Sequence, residues 1–149
     1  MKVKEGDDFP DFKLMSDAGN YVSLSDLKGK RVIIYFYPKD DTPGCTKEAC
    51  NFRDNINEIK SFNVEIYGVS VDTIESHKKF KEKYSLPFTL LSDHDKQLSK
   101  TLGILSVFGT DRRVTFIVNN GKIEKIFPKV SPDKHAKEII EYLKSSQSV

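Results

Sequence analysis

The twenty residues RVIIYFYPKDDTPGCTKEAC, positions 31 to 50, decide how the rest of the chain is read. They open on Arg31 to Tyr37, an unbroken run of β-branched, aliphatic and aromatic residues. A strand with one wet face alternates apolar and polar side chains, whereas a run without alternation belongs in the centre of an α/β sheet, buried on both faces. Pro38 and Pro43-Gly44 then punctuate the chain. Beyond them Phe52, Ile56 and Ile59 recur at i, i+4 and i+7, which predicts an amphipathic helix over roughly residues 45 to 60. The chain's two cysteines, Cys45 and Cys50, both fall just past this strand-to-helix turn.

Working outward, residues 10 to 23 alternate around Ser16-Asp17-Ala18-Gly19-Asn20 and predict a hairpin, and residues 24 to 29 read as a helical turn closed by Gly29. Val64 to Ser70 is a second strand. Asp72 with Glu75 has the spacing of a capping box, and Ile74, His77, Phe80 and Tyr84 mark one face of the helix it would start, before Pro87. Phe88 to Leu91 reads as a strand, Lys96 to Leu102 as a short helix, and Val114–Val118 with Lys122–Phe127 as a hairpin about Asn119-Asn120-Gly121. Ser131-Pro132 has the form of an N-cap and first helical residue, and Ala136, Ile139, Ile140 and Leu143 supply the buried face of a closing helix. Ser145 to Val149 are expected to fray. This order predicts an α/β, thioredoxin-like fold: a central mixed β-sheet flanked by α-helices, with an N-terminal β-hairpin and no linker dividing residues 1 to 149.

A chain of 149 residues buries about 68–70% of its unfolded surface and needs no staple. Its 24 basic and 22 acidic side chains leave a formal charge of +2, too weak a field to gather nucleic acid or anionic lipid. No apolar stretch reaches signal-peptide or membrane-span length, so a cytoplasmic protein is expected. Two thiols in a reducing compartment point to catalytic or redox work. Zinc sites want about four closely spaced ligands; His77, His94 and His135 are scattered and no second cysteine pair exists. Neither a metal nor another cofactor is expected.

A thiolate attacks where a thiol does not, so a reactive cysteine needs surroundings that favour negative charge. Cys45 is predicted in the first turn of its helix, where free N–H groups and the helix dipole supply that, at the carboxyl end of a central strand where ligands bind. The Thr42 hydroxyl can both donate and accept toward a sulfur or a bound oxygen. Asp40 and Asp41 oppose a thiolate, so a cation from elsewhere is wanted. Arg113 is the leading choice for its planar fork of donors, with Arg53 and Arg112 as alternatives. Tyr37 and Phe108 are expected near the substrate entrance. His77 reads as a core or boundary histidine and His94 as part of an exposed turn, and neither is assigned chemistry.

Pro38-x-x-x-Thr42-x-x-Cys45 resembles the active-site motif of the peroxiredoxins, and the second cysteine five residues on resembles their bacterioferritin comigratory protein, or PrxQ, branch. The likeness spans nearly the whole chain, through Gly6-Asp7-x-Phe9-Pro10-x-Phe12, Tyr35-Phe36-Tyr37-Pro38, Arg113-Val114-Thr115-Phe116-Ile117 and Gly121. It implies a single peroxiredoxin domain and a thiol peroxidase in antioxidant defence. Cys45 would attack hydrogen peroxide or an organic hydroperoxide and become a sulfenic acid, which Cys50 would resolve as an intramolecular disulfide. Thr42 and Arg113 would polarise the peroxide, Pro38 would shield the sulfenate, and a thioredoxin-like dithiol would recycle the enzyme. A monomer is expected, for want of the long C-terminal arm of ring-forming relatives.

Two rival readings differ in what they require. A thiol-disulfide oxidoreductase wants C-x-x-C, and the third residue after Cys45 is Glu48. A redox-regulated binding protein or chaperone would use the disulfide to change shape, with peroxide turnover incidental. The run Thr46-Lys47-Glu48 reads as exposed, leaving the first helical turn little anchored and easy to open.

Overall fold

A computed structural model describes residues 1–146. Seven strands form one mixed sheet: β1 (Lys13–Ser16), β2 (Tyr21–Ser23), β3 (Arg31–Phe36), β4 (Glu65–Ser70), β5 (Thr89–Ser92), β6 (Val114–Asn119) and β7 (Lys122–Phe127), in the order β2-β1-β5-β4-β3-β6-β7. β3, β4 and β5 run parallel, and β6 returns antiparallel on the other side of β3. The N-terminal hairpin of β1 and β2 extends the sheet by pairing β1 antiparallel to β5. Among the described residues five α-helices fill the connections, α1 (Pro43–Asp54), α2 (Ile56–Lys60), α3 (Ile74–Tyr84), α4 (Gln97–Leu102) and α5 (His135–Ser146), besides a 3-10 turn at Leu24–Leu27. The thioredoxin-like α/β architecture expected from the element order is the one observed.

The unbroken run in β3 has the predicted cause. Ile33, Tyr35 and Tyr37 face one core with Ala49 and Phe52 of α1, Phe80 of α3 and Ala136, Ile139, Ile140 and Leu143 of α5. Val32, Ile34 and Phe36 face a second core with Phe9, Phe12, Leu98, Leu102, Val114 and Phe116. Each fully buried aliphatic or aromatic side chain contributes about 1.5–3 kcal/mol, so a polar residue anywhere in β3 would destabilise one core or the other. The carboxyl end of β3 is thereby fixed from both faces, and the cysteine helix springs from it.

Three element boundaries differ from expectation. The first helix begins at Pro43, with Thr42 as its extended N-cap, and stops at Asp54. Asn55 breaks it: its side-chain amide donates to the Asn51 carbonyl at 2.8 Å while its own N–H tightens onto Phe52, and α2 starts afresh. The cap of α3 is Thr73, whose hydroxyl accepts from the Ser76 N–H, because the Asp72 carboxylate is taken by Ser70 Oγ and by the Asp40 N–H. Ser131 and Pro132 belong to a tighter turn closed by the Lys134 N–H on the Ser131 carbonyl, so α5 becomes regular only at His135. Of the residues expected to fray, Ser145 and Ser146 complete α5, and Gln147 to Val149 lie outside the described residues.

Candidate active site

The site is built where β3 ends. The Tyr37 N–H still bonds Val69 of the neighbouring strand, but Pro38 has no N–H to continue the ladder, and the chain turns out. Asp41 takes a left-handed φ of 54° to complete the turn, Thr42 returns to extended backbone, and Pro43 begins α1. Cys45 is therefore the third helical residue, inside the first turn, where the Gly44 and Cys45 N–H groups have no acceptor within the helix. Its side chain is only 1% exposed.

Arg113 comes in from the start of β6. Its Nη1 donates to Glu48 Oε1 at 3.0 Å, and its other terminal nitrogen, Nη2, lies over the backbone of Gly44. A Cβ at position 44 would stand 2.7 Å from that nitrogen, so a side chain there would displace the guanidinium from this position. Burial works against the Arg113 charge, but Cys45 and then Glu48 more than offset it and raise its pKa. Arg112 is exposed and donates to the Gly103 carbonyl, while Arg53 reaches Asp54 and the Tyr84 carbonyl. Of the three arginines, Arg113 alone is brought to Cys45.

Thr42 Oγ1 donates its proton to the Lys39 carbonyl at 2.8 Å. With that proton committed, the hydroxyl oxygen is left as an acceptor. Pro38 is half-buried at the end of β3, and Cys50 is half-buried on the same helix as Cys45; both thiols are free. Five residues of α-helix separate two Cα atoms by roughly 8.6 Å, beyond the ~7 Å limit for a disulfide.

Several residues differ from their sequence reading. Glu48 is not exposed: its side chain is fully buried beneath Arg113, one carboxylate oxygen has no partner, and burial outweighs the arginine to push its pKa up to about 7. Counting back from Phe52 by four and by seven gives Glu48 and Cys45, so helical periodicity carried the signal that Glu48 faces inward. Asp40 and Asp41 do not oppose the thiolate as bare charges. Asp40 is bonded to Tyr37, Ser76 and His77, and Asp41 to Lys83 and Tyr84. Tyr37 is 1% exposed, with its ring against Tyr35 and its hydroxyl on Asp40, and it does not line an entrance. Phe108 is 88% exposed beside an equally open Val107. His94 is exposed as expected.

Among the described residues one group of side chains has metal-ligand composition, Asp40, Asp72 and His77. Their donor atoms are already engaged, since Asp40 Oδ2 meets His77 Nδ1 at 2.7 Å and Asp72 Oδ2 accepts from Ser70 and the Asp40 N–H. This is a hydrogen-bond network, not a cation cage. No helix among the described residues is long and apolar enough to cross a membrane.

The chain as a whole resembles known proteins. The AhpC/TSA family profile matches residues 5–126. The chain belongs to the AhpC/TSA family, the peroxiredoxins. It is 45% identical over 148 residues to the peroxiredoxin bcp of Coxiella burnetii, covering 94% of this chain and 98% of that one. It is also 45% identical to the chloroplastic peroxiredoxin Q of Sedum lineare, over 97% of this chain and 80% of the relative. A PrxQ cysteine-to-serine mutant from Xylella fastidiosa superposes with a TM-score of 0.92 at 28% identity over 99% of both chains. The bacterioferritin comigratory protein of Xanthomonas campestris, described for its alkyl peroxide reduction activity, gives 0.85 at 31% identity over 91% of both. This peroxiredoxin is thus of the BCP/PrxQ kind and is a thiol peroxidase, acting on peroxides at the expense of thiol reductants.

Proposed function

We propose that Cys45 is the peroxidatic cysteine and Cys50 the resolving one, in a cycle confined to a single chain. The observation that carries this reading is the placement of Cys45 in the first turn of α1 beneath Arg113, with the second thiol on the same helix. The Cys45 thiolate attacks one peroxide oxygen, the O–O bond breaks, and the departing oxygen takes a proton to leave as water or an alcohol. Arg113 and the first-turn N–H groups steady the charge that develops on the oxygens, and Thr42 accepts the peroxide proton's hydrogen bond. Pro38 shields the resulting sulfenic acid. The Cys50 thiol then condenses with it, water leaves, and a disulfide forms.

Because the two Cα positions are too far apart within a regular helix, the second step requires α1 to open between Cys45 and about Arg53. A thioredoxin-like dithiol then exchanges with the disulfide through a mixed disulfide and restores both thiols. Hydrogen peroxide and organic hydroperoxides are the substrates of this reading. Two free cysteines suit a reducing compartment such as the cytoplasm, and the reading takes residues 1–149 as one domain acting as a monomer.

The test is steady-state peroxide consumption coupled to thioredoxin and its reductase. Activity is expected in the parent protein and in neither Cys45→Ser nor Cys50→Ser; a Cys50→Ser protein that turns over at the parent rate would contradict the resolving role.

A further inference from the structure

Behind the peroxidatic loop lies a buried network that the reaction scheme does not use. His77, on α3, has no exposed surface. Its Nε2 faces the Leu91 carbonyl of β5 at 2.9 Å, and its Nδ1 faces Asp40 Oδ2 at 2.7 Å. A carbonyl can only accept, so Nε2 carries a hydrogen. Asp40 accepts from the Tyr37 hydroxyl on one oxygen, at 2.5 Å, and from the Ser76 hydroxyl on the other, at 2.9 Å. A carboxylate accepting on both oxygens leaves the Nδ1 contact to be made by an N–H of the ring. With Asp40 as a carboxylate, both ring nitrogens donate, the arrangement of an imidazolium held against it.

Asp40 sits in the middle of the loop between Pro38 and Thr42. Its backbone N–H is also fastened, to Asp72 Oδ2 at 2.8 Å. The segment that presents Pro38 and Thr42 to Cys45 is thus anchored at its midpoint, through Asp40, to β5, α3 and the turn after β4.

We infer that His77 is a positioning residue for the peroxidase reaction: as an imidazolium clamped between Leu91 and Asp40, it fixes the loop that sets Thr42 against Cys45, and losing its proton loosens that loop. The inference rests on Cys45 being the peroxidatic cysteine. The groups facing His77 agree with it. Asp40 in the loop and Asp72 after β4 are acidic, Tyr37 just past β3 gives its hydroxyl to Asp40, and β5 presents the Leu91 carbonyl. Of the four lysines of α3, Lys78 and Lys79 are exposed, Lys81 pairs with Asp17 and Lys83 with Asp41. Burial alone would lower the His77 pKa, but the hydrogen bond and charge of Asp40, aided by the Leu91 carbonyl and Asp72, raise it. The clamp is accordingly present below the raised value and is lost as pH rises through it.

The test has two parts. On the unaltered, reduced, ¹⁵N-labelled protein, long-range ¹H–¹⁵N spectra should show His77 protonated on both nitrogens at pH 7.5, with a midpoint above the ordinary histidine value of about 6.5. In single-turnover quench-flow with hydrogen peroxide, read as oxidised Cys45 by mass, the parent rate constant should fall as pH passes that midpoint. His77→Gln should be about 10- to 100-fold slower at pH 7, the scale of a small misplacement of a reacting group, and should lose that alkaline fall. Asp40→Asn, which removes the carboxylate and keeps the histidine, should lower the His77 midpoint and slow the reaction likewise.

A neutral His77 at pH 7.5 would overturn the inference whether or not His77→Gln folds. So would a folded His77→Gln protein with the parent's rate and alkaline fall. A parent protein whose Cys45 ignores peroxide altogether would instead refute the assignment on which the inference rests.

Discussion

A methyl group added to Gly44 would meet Arg113 Nη2 at 2.7 Å, while the nearest atom of Pro132 stays 3.9 Å away. Gly44→Ala should therefore displace the guanidinium and little else. Its peroxide reaction is predicted to slow by roughly 10-fold or more with an unchanged circular dichroism spectrum, as for a misplaced catalytic group. Arg113→Met removes the guanidinium outright and should cost about 10²–10³-fold in kcat/KM, the range for losing a donor aimed at developing charge. The committed proton of Thr42 separates two further variants. Thr42→Ser keeps the acceptor and should retain most activity, whereas Thr42→Val loses it and should be slowed about as much as Arg113→Met; equal rates in both would deny the hydroxyl its part. At this scale the motif residues and the order Pro38, Thr42, Cys45 were legible in the chain, but the choice among Arg53, Arg112 and Arg113 was not. Where each arginine points depends on pairings set by distant segments, Tyr84 for Arg53 and Gly103 for Arg112. His77 reads in the sequence as a core or boundary histidine and is indeed buried, but its partners Asp40 and Leu91, 37 and 14 residues away, were not legible.

The cysteine helix has to be stable in one state and open in another. Its inner face is Cys45, Glu48, Ala49 and Phe52, all buried, and its outer face is polar. Glu48 changes the cost of opening relative to an exposed first turn, because unwinding must break the contact with Arg113 and bring a buried carboxyl into water. Two features favour it: an oxygen of Glu48 is left without a partner, and Asn55 has already cut the helix from α2. Hydrogen exchange is predicted to accelerate for residues 45 to 54 in the disulfide form relative to the reduced form, with α5 unchanged. Equal protection of α1 in both forms would show that the thiols meet by another route. The helix and its amphipathic period were legible from Phe52, Ile56 and Ile59, but its break was not. An asparagine that bonds back onto a carbonyl four residues earlier looks, in sequence, like any other polar residue on an exposed face.

At the scale of the whole molecule, strand runs, turn glycines and the βαβα order were enough to give a mixed sheet with parallel crossovers, but not the strand order or the pairing of β1 with β5. Nor could pattern supply the set of buried charges above the strand ends. Asp111 is 1% exposed and neither of its oxygens has a partner, for the Ser99 hydroxyl is given to Asp93. Burial first, then the charges of Asp93 and Asp72, push the Asp111 pKa up to about 7. The sign follows directly: the folded protein holds this proton more tightly than the unfolded chain, so stability falls as pH rises from about 4 to about 7. Asp111→Asn should remove that share of the pH dependence, by about 1–3 kcal/mol between pH 4 and pH 8 in urea melts, leaving the share due to Glu48. Parallel stability curves for the two proteins would contradict it. The central claim, that one chain carries both thiols of the cycle, is tested most directly by intact mass after one equivalent of hydrogen peroxide. The account predicts loss of two hydrogens in the parent, no change in Cys45→Ser and one added oxygen in Cys50→Ser. One added oxygen in the parent, with no disulfide, would contradict it.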